Sequence, residues 1–179
     1  METGGLNMKK NLQLVGFKIG KEYFGVDIAS VQEIVRVPEI TQVPETPSFV
    51  EGVINLRGRI VPVIDLRKRL RLGKAEKKRS NRVLIIEQSK RIVGLIVDSA
   101  SEVLKLSSEA IETPPDMITG VGVEYITGVG KLGEQIIILL DLTKILDVKE
   151  MVKLENSEFV QENSKKDSAP ALQTAQGVA

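Results

Sequence analysis

Asp65 and Asp141 are the first residues in this chain to test for chemistry, because each carboxylate directly follows a run of apolar residues. Two carboxylates converging on one cleft could divide general acid and base roles. Their surroundings point elsewhere. Asp65-Leu66-Arg67-Lys68-Arg69-Leu70 and Asp141-Leu142-Thr143-Lys144-Ile145-Leu146 share one pattern, which reads in each case as an N-cap before a short helix. The 179 residues include no His and no Cys. The commonest general base, the usual zinc ligands and the thiol nucleophile are therefore missing. The lack of Cys also rules out a disulfide framework and suits a reducing compartment. Gly128-Val129-Gly130-Lys131-Leu132-Gly133 has a dinucleotide-binding spacing, but residues 134–138 continue as a strand where a helix is required. These read as glycines of a β turn. No enzymatic constellation, metal site or cofactor is expected.

Charge offers a second chemistry. Nine of the 25 basic residues and one of the 24 acids, Glu76, fall between Arg67 and Arg82, leaving 16 basic and 23 acidic residues elsewhere. Such a segment, residues 67–82, could hold a polyanion, and small β barrels do bind single-stranded nucleic acid. They normally do so with aromatic stacking platforms. This chain has four Phe, two Tyr and no Trp, and several of these lie in apolar patterns. A nucleic-acid-binding double barrel is thus the alternative function, and a solvated helix end with its linker is the plainer account of the charge.

The elements that would position any site repeat along the chain. With Gly25 laid on Gly94, Ser30 meets Ser99, Glu33 meets Glu102, and Ile34-Val35-Arg36-Val37 meets Val103-Leu104-Lys105-Leu106. A second block aligns Phe49 with Tyr125, Gly52 with Gly128, Ile60 with Ile136, and Asp65-Leu66 with Asp141-Leu142. Each module reads as short strands closed by a short helix. In module one the strands are expected at 12–19, 23–28, 31–37, from 53, and 59–64, with turns at Gly20-Lys21 and Arg57-Gly58. In module two they are expected at 83–87, 92–97, 103–106 and 134–140. Pro62 predicts an edge or a bulge. Ile138 is expected in the core. About 60 residues make a marginal core alone, so two lobes, about 12–72 and 82–148, should share one across their seam. A basic linker would cover 73–81, residues 1–11 would be a flexible N-terminus, and 156–179, rich in Ser, Ala and Gln, would be a mobile tail.

The repeat also isolates what packing does not explain. Asn55, Arg57 and Gly58 interrupt an apolar frame, and module two has Lys131, Gly133 and Glu134 at those places. Arg57 either ties a loop down with its guanidinium or contacts a partner. The segment Gly52-Val-Ile-Asn-Leu-Arg-Gly-Arg-Ile-Val-Pro-Val-Ile-Asp-Leu-Arg67 resembles the signature of CheW coupling proteins and of the CheW-like regulatory domain of the CheA kinase. Tyr23-Phe24-Gly25-Val26-Asp27-Ile28, Val31-Gln32-Glu33-Ile34 and Tyr125-Ile-Thr-Gly-Val-Gly130 resemble that family too, and the likeness spans about 12–151.

That resemblance implies an all-β fold of two pseudo-repeated, five-stranded SH3-like barrels with short helices, sharing a hydrophobic core. It implies a non-enzymatic adaptor that couples methyl-accepting chemoreceptors to the CheA histidine kinase and supports kinase activation. The chain is too short to include a kinase and lacks a phospho-accepting His, so the stand-alone adaptor fits best. By motif match, Val31, Glu33, Ile34, Asn55 and Arg57 would belong to a receptor-binding face that Gly52 and Gly58 shape. The receptor tip would lie as a helix in a groove. Ile40, Val43 and Phe49 are placed at a kinase contact, and a second kinase contact would come through module two. The expected protein is cytoplasmic, monomeric when free, without membrane insertion, and recruited to receptor arrays at the inner face of the membrane. Residues 1–10 hold no apolar stretch suited to a signal peptide, and no run nears the roughly 18–20 residues of a spanning helix. Neither the linker nor the tail receives a role.

Overall fold

The structure is a computed structural model that describes residues 11–73, 77–113 and 123–145. Residues 1–10, the proposed tail at 156–179 and part of the basic linker lie outside the described residues.

Strands β1 (Asn11–Ile19) and β2 (Glu22–Asp27) form a hairpin around Gly20, whose φ is 61°. Strand β3 (Val31–Arg36) follows a short 3-10 turn, and β4 (Val50–Leu56) and β5 (Arg59–Asp65) form a second hairpin. Helix α1 (Leu66–Arg69) closes the first repeat. The second repeat runs through β6 (Arg82–Gln88), β7 (Arg91–Val97), β8 (Ser99–Ser107), the two-residue β9 (Ile111–Glu112), β10 (Ile126–Leu132), β11 (Gln135–Leu140) and helix α2 (Leu142–Ile145). The fold is all-β, as expected. β10 was not foreseen, because Gly128 and Gly130 look like turn residues. Both lie within the strand, and only Gly133, with φ 63°, makes the turn. Gly130 is needed because a Cβ there would collide with Leu106 across the barrel.

The repeats are not the spatial units. One sheet has the order β8-β1-β2-β11-β10-β9, and the other β3-β6-β7-β5-β4. Each sheet combines the first hairpin of one repeat with the later strands of the other. The joints are antiparallel pairings of β1 with β8 and of β3 with β6, and parallel pairings of β2 with β11 and of β5 with β7. Lobe boundaries at 12–72 and 82–148 are therefore corrected: both sheets draw on both halves. The physical reason is that hydrophobic period reports which residues are buried and says nothing about which strand covers them. The correspondence extends to the extra strand. Thr41 makes an isolated bridge to Val53, and Glu112 of β9 pairs with Val129, the repeat equivalent of Val53.

Three apolar clusters follow from this exchange. The largest lies between the sheets and takes Val15, Phe17, Ile19, Phe24 and Val26 from one and Ile64, Leu84, Ile86, Val93, Leu95 and Val97 from the other. Both helices seal it with Leu66, Leu70, Leu142 and Ile145. Among the described residues it holds seventeen buried residues against six in each remaining cluster, so most of their apolar burial depends on the seam. A second cluster (Ile54, Val61, Val63, Val83, Ile85, Ile96, with Val35 and Leu56 at its margin) draws on all five strands of one sheet and on none of the other. A sheet can enclose such a cluster only by curling on itself, which makes it a small barrel. In β6 the alternation is plain: Leu84 and Ile86 face the shared core, and Val83 and Ile85 the barrel interior. A strand buried on both faces reads as a continuous apolar run, as 83–86 does.

Two smaller expectations change. β5 lies inside its sheet and is not an edge, yet its pairing with β7 begins only at Val63, so Pro62 meets no ladder on that side. The accompanying bulge sits on β4, between Val50 and Gly52. Ile138 is only half-buried at the margin of the shared core, and its neighbour Ile137 is the fully enclosed residue.

Candidate protein-interaction site

The β4–β5 hairpin ends in a two-residue turn. Leu56 pairs with Arg59 in the ladder, and Arg57 and Gly58 between them have φ of 51° and 83°. Two consecutive positive φ values are those of a type I′ turn, whose twist matches the flanking strands. Asn55 supports it: its Oδ1 accepts the Gly58 N–H at 2.8 Å. Glycine suits the second position. Arg57 does not suit the first, since left-handed backbone costs a side-chain-bearing residue about 1–2 kcal/mol. The second repeat places Gly133 there, at φ 63°. Arginine is thus held where backbone geometry favours glycine, as Ser89 and Lys90 are in the turn between β6 and β7.

That side chain reaches across the barrel mouth. Arg57 Nη2 donates to Glu33 Oε2 on β3. β3 and β4 are the two outer strands of their sheet, so this ion pair spans the seam where the barrel closes. The Arg57 side chain remains 72% exposed and that of Glu33 33% exposed. An exposed pair adds only about 0–1 kcal/mol. The tie-down is therefore real in geometry and weak in energy, and the guanidinium has most of its surface free for a partner.

The other residues expected on a receptor face divide between two sides of β3. Register shifts between Val31 and Glu33, which leaves Gln32 as a bulge. Val31 then stands opposite Ile86 and Ile34 opposite Leu84, both of the shared core, while Glu33 stands opposite Ile85 of the barrel interior. Val31 and Ile34 share a face, with Ile34 40% exposed, and Glu33 with Arg57 borders the other. Because β3 is an outer strand, a partner lying along its edge meets both. Gly52 acts on the fold. At φ 144° it is buried, and a Cβ would run into the Thr41 carbonyl oxygen that accepts the Val53 N–H at 2.8 Å. Gly58 has open space around it and serves the turn alone.

Ile40, Val43 and Phe49 do not form one patch. Ile40 packs at the margin of the barrel cluster and Phe49 at the margin of the shared core. Val43 is half-buried in the intervening loop, where its carbonyl accepts the Thr46 hydroxyl at 3.0 Å. The Phe49 ring is covered by the Arg69 guanidinium at 4.4 Å, which also lies 5.5 Å from Tyr125, the repeat equivalent of Phe49. Arg69 Nε donates to the Ile145 carbonyl at 2.7 Å, joining the two helices. The aligned aromatics were visible in sequence. The cation between them was not, because the second repeat has Ile145 in its place.

The carboxylates behave as caps. Asp65 Oδ1 accepts the N–H of Arg67 at 2.9 Å and of Lys68 at 3.3 Å, and Asp141 Oδ1 accepts the Thr143 N–H at 2.9 Å. Burial holds the Asp65 carboxyl above its ordinary value, with the two backbone donors acting in opposition. Lys68 is raised in turn, chiefly by its hydrogen bond to Glu51. Much of the basic segment is also engaged. Arg67 pairs with Asp98, which accepts the Gly20 N–H at 2.6 Å, and Arg82 donates to the Arg79 and Asn81 carbonyls. Among the described residues no group of three or more acidic side chains could hold a metal ion, and no helix is long and apolar enough to cross a membrane.

Comparison with known proteins agrees with this architecture. The CheW-like domain family matches residues 13–150. Chemotaxis protein CheW of Treponema pallidum is 40% identical over 153 residues, covering 82% of this chain and 89% of that protein. Chemotaxis protein CheW of Klebsiella aerogenes is 40% identical over 140 residues, covering 78% and 84%. The crystal structure of the scaffolding protein TtCheW from Thermoanaerobacter tengcongensis superposes with a TM-score of 0.72 at 39% identity, over 79% of this chain and 96% of that one. With motifs and fold both matched, the chain belongs to the CheW-like family of non-catalytic chemotaxis scaffolds.

Proposed function

We propose that this chain couples methyl-accepting chemoreceptors to the CheA histidine kinase, binding the receptor tip and the kinase regulatory domain without turning either over. The observation that carries the reading is Arg57: an arginine kept on a left-handed turn position, mostly exposed, beside Glu33 on an outer strand. The receptor tip, a helical hairpin in this family, would lie along β3, with Val31 and Ile34 giving apolar area and Glu33 and Arg57 setting register. The kinase contacts would use the loop between β3 and β4, near Ile40 and Val43, and a surface of the other barrel. Phe49, covered by Arg69, would shape that loop from below. The protein would work in the cytoplasm as a monomer until recruited to receptor arrays.

Calorimetric titration with the isolated regulatory domain of CheA, then with a receptor-tip peptide, tests this. Saturable binding to both, with negative heat-capacity change, supports an apolar protein interface. Binding to neither removes the coupling role. Nucleic-acid binding through residues 67–82 is the second reading. It is disfavoured because Arg67, Lys68, Arg69 and Arg82 are already engaged within the fold. Retention of single-stranded DNA that falls log-linearly with salt would favour it instead.

A further inference from the structure

The face of β3 that carries Val31 and Ile34 ends in concentrated positive charge. Val31 stands opposite Ile86, Ile34 opposite Leu84, and the next rung on that face sets Arg36 opposite Arg82. Like charges directly opposite on neighbouring strands repel. Arg36 is exposed and Arg82 half-buried. Arg82 Nη1 donates to the Arg79 carbonyl at 2.8 Å and to the Asn81 carbonyl at 2.9 Å, which brings the Arg79 backbone against the same guanidinium. Carbonyls orient Arg82 without neutralising it. Among the described residues, Arg36, Arg79 and Arg82 form no ion pair with a carboxylate. The fold does not require the repulsion. Lys105, the repeat counterpart of Arg36, stands opposite Gln13, the counterpart of Arg82. A carboxylate between the two guanidiniums would relieve it.

We propose that the partner helix laid along β3 carries an Asp or Glu one turn beyond its apolar contacts, held by Arg36 and Arg82 with Arg79 at the rim. This rests on the reading of β3 as the receptor edge. Successive rungs on this face lie about 6.6–6.8 Å apart. Residues four apart on a helix are separated by about 6 Å along its axis. The partner therefore sets apolar residues at i and i+4 on Val31 and Ile34, and its carboxylate at i+8. Ile34, 40% exposed, makes the neighbouring surface aliphatic. That suits an amphipathic acidic helix, whereas single-stranded nucleic acid calls for aromatic platforms.

The test titrates the full chain with a helical-hairpin fragment of a receptor tip. R36E turns a like-charge rung into an opposite-charge one, so its melting temperature should hold or rise while its affinity for the fragment falls roughly tenfold at low salt. The loss should shrink at 1 M salt, where the Debye length is about 3 Å. Reversing the charge of one acidic residue of the fragment should restore binding to R36E. Unchanged affinity in R36E, a loss accompanied by a lower melting temperature, or the lack of any restoring position overturns the proposal; the receptor edge still stands if Ile34→Asp weakens binding. A parent chain that does not bind the fragment overturns both. Single-stranded DNA retained by the parent chain and released by R36E, with fragment binding unaffected, would assign the arginines to nucleic acid instead.

Discussion

Replacing Arg57 by glycine separates the two roles open to that side chain. Three contributions change. Glycine relieves left-handed strain of about 1–2 kcal/mol. It adds unfolded-state freedom that opposes folding by about 0.5–1 kcal/mol. It removes the exposed pair with Glu33, worth about 0–1 kcal/mol. The sum lies between about −1 and +1.5 kcal/mol, and each 1 kcal/mol shifts the melting temperature by about 2–4 °C for a chain of this size. The second repeat already uses glycine at this turn position, Gly133. Arg57→Ala lacks the relief, because its Cβ keeps the strain, so it should be the less stable of the two. Both variants should lose affinity for a receptor tip. The assay is urea denaturation of each variant beside calorimetry with the receptor-tip peptide. A loss of more than about 2 kcal/mol in Arg57→Gly would show that the ion pair holds the barrel closed and would refute the reasoning from exposure. Unchanged affinity with unchanged stability would refute the contact role.

Three other outcomes follow from the same structure. Gly52→Ala places a methyl group against the Thr41 carbonyl oxygen at a φ that side chains rarely adopt, and should lower stability by about 2–4 kcal/mol in urea denaturation. Cutting the chain within residues 77–81 should leave two halves that co-elute in size-exclusion chromatography and do not fold when separated, since each sheet needs strands from both; halves that fold independently would contradict the exchange. Asp65→Asn keeps an acceptor for the Arg67 and Lys68 N–H groups while removing a charge that burial disfavours. A carboxyl raised in the folded state weakens folding when ionised, and the penalty is relieved as pH falls through the folded pKa. The variant should therefore match or exceed the parent chain in urea midpoint at neutral pH, and the difference should shrink in acid. A neutral-pH deficit that acid does not change would show that the ionised cap is favourable.

Much of the fold was legible because its strands are Val- and Ile-rich runs buried on both faces, which leave continuous apolar segments such as 83–86. The caps at Asp65 and Asp141 were legible because the carboxylate sits at the change from strand to helix pattern. The exchange of hairpins was not. Two repeats with the same apolar period can pair within or between themselves, and the pairings of β1 with β8, β3 with β6, β2 with β11 and β5 with β7 decide. At the site, Arg57 stood out because the repeat supplied its own control in Gly133. The Gln32 bulge that turns Val31 and Ile34 to one face left no sequence signal, since one additional residue in a strand has no composition of its own. Arg69, bridging Phe49, Tyr125 and Ile145, was hidden inside a run of cations that charge counting treats alike.

The coupling role is tested most directly by titrating variants of the β3 edge. The parent chain, Arg57→Gly and Ile34→Asp would each be titrated with a receptor-tip peptide and, separately, with the CheA regulatory domain. Both substitutions should weaken binding of the receptor tip at least tenfold, about 1.4 kcal/mol, while kinase-domain binding and melting temperature stay near those of the parent chain. Receptor affinity unchanged in both variants would contradict it, and would move the docking surface away from the Arg57–Glu33 edge.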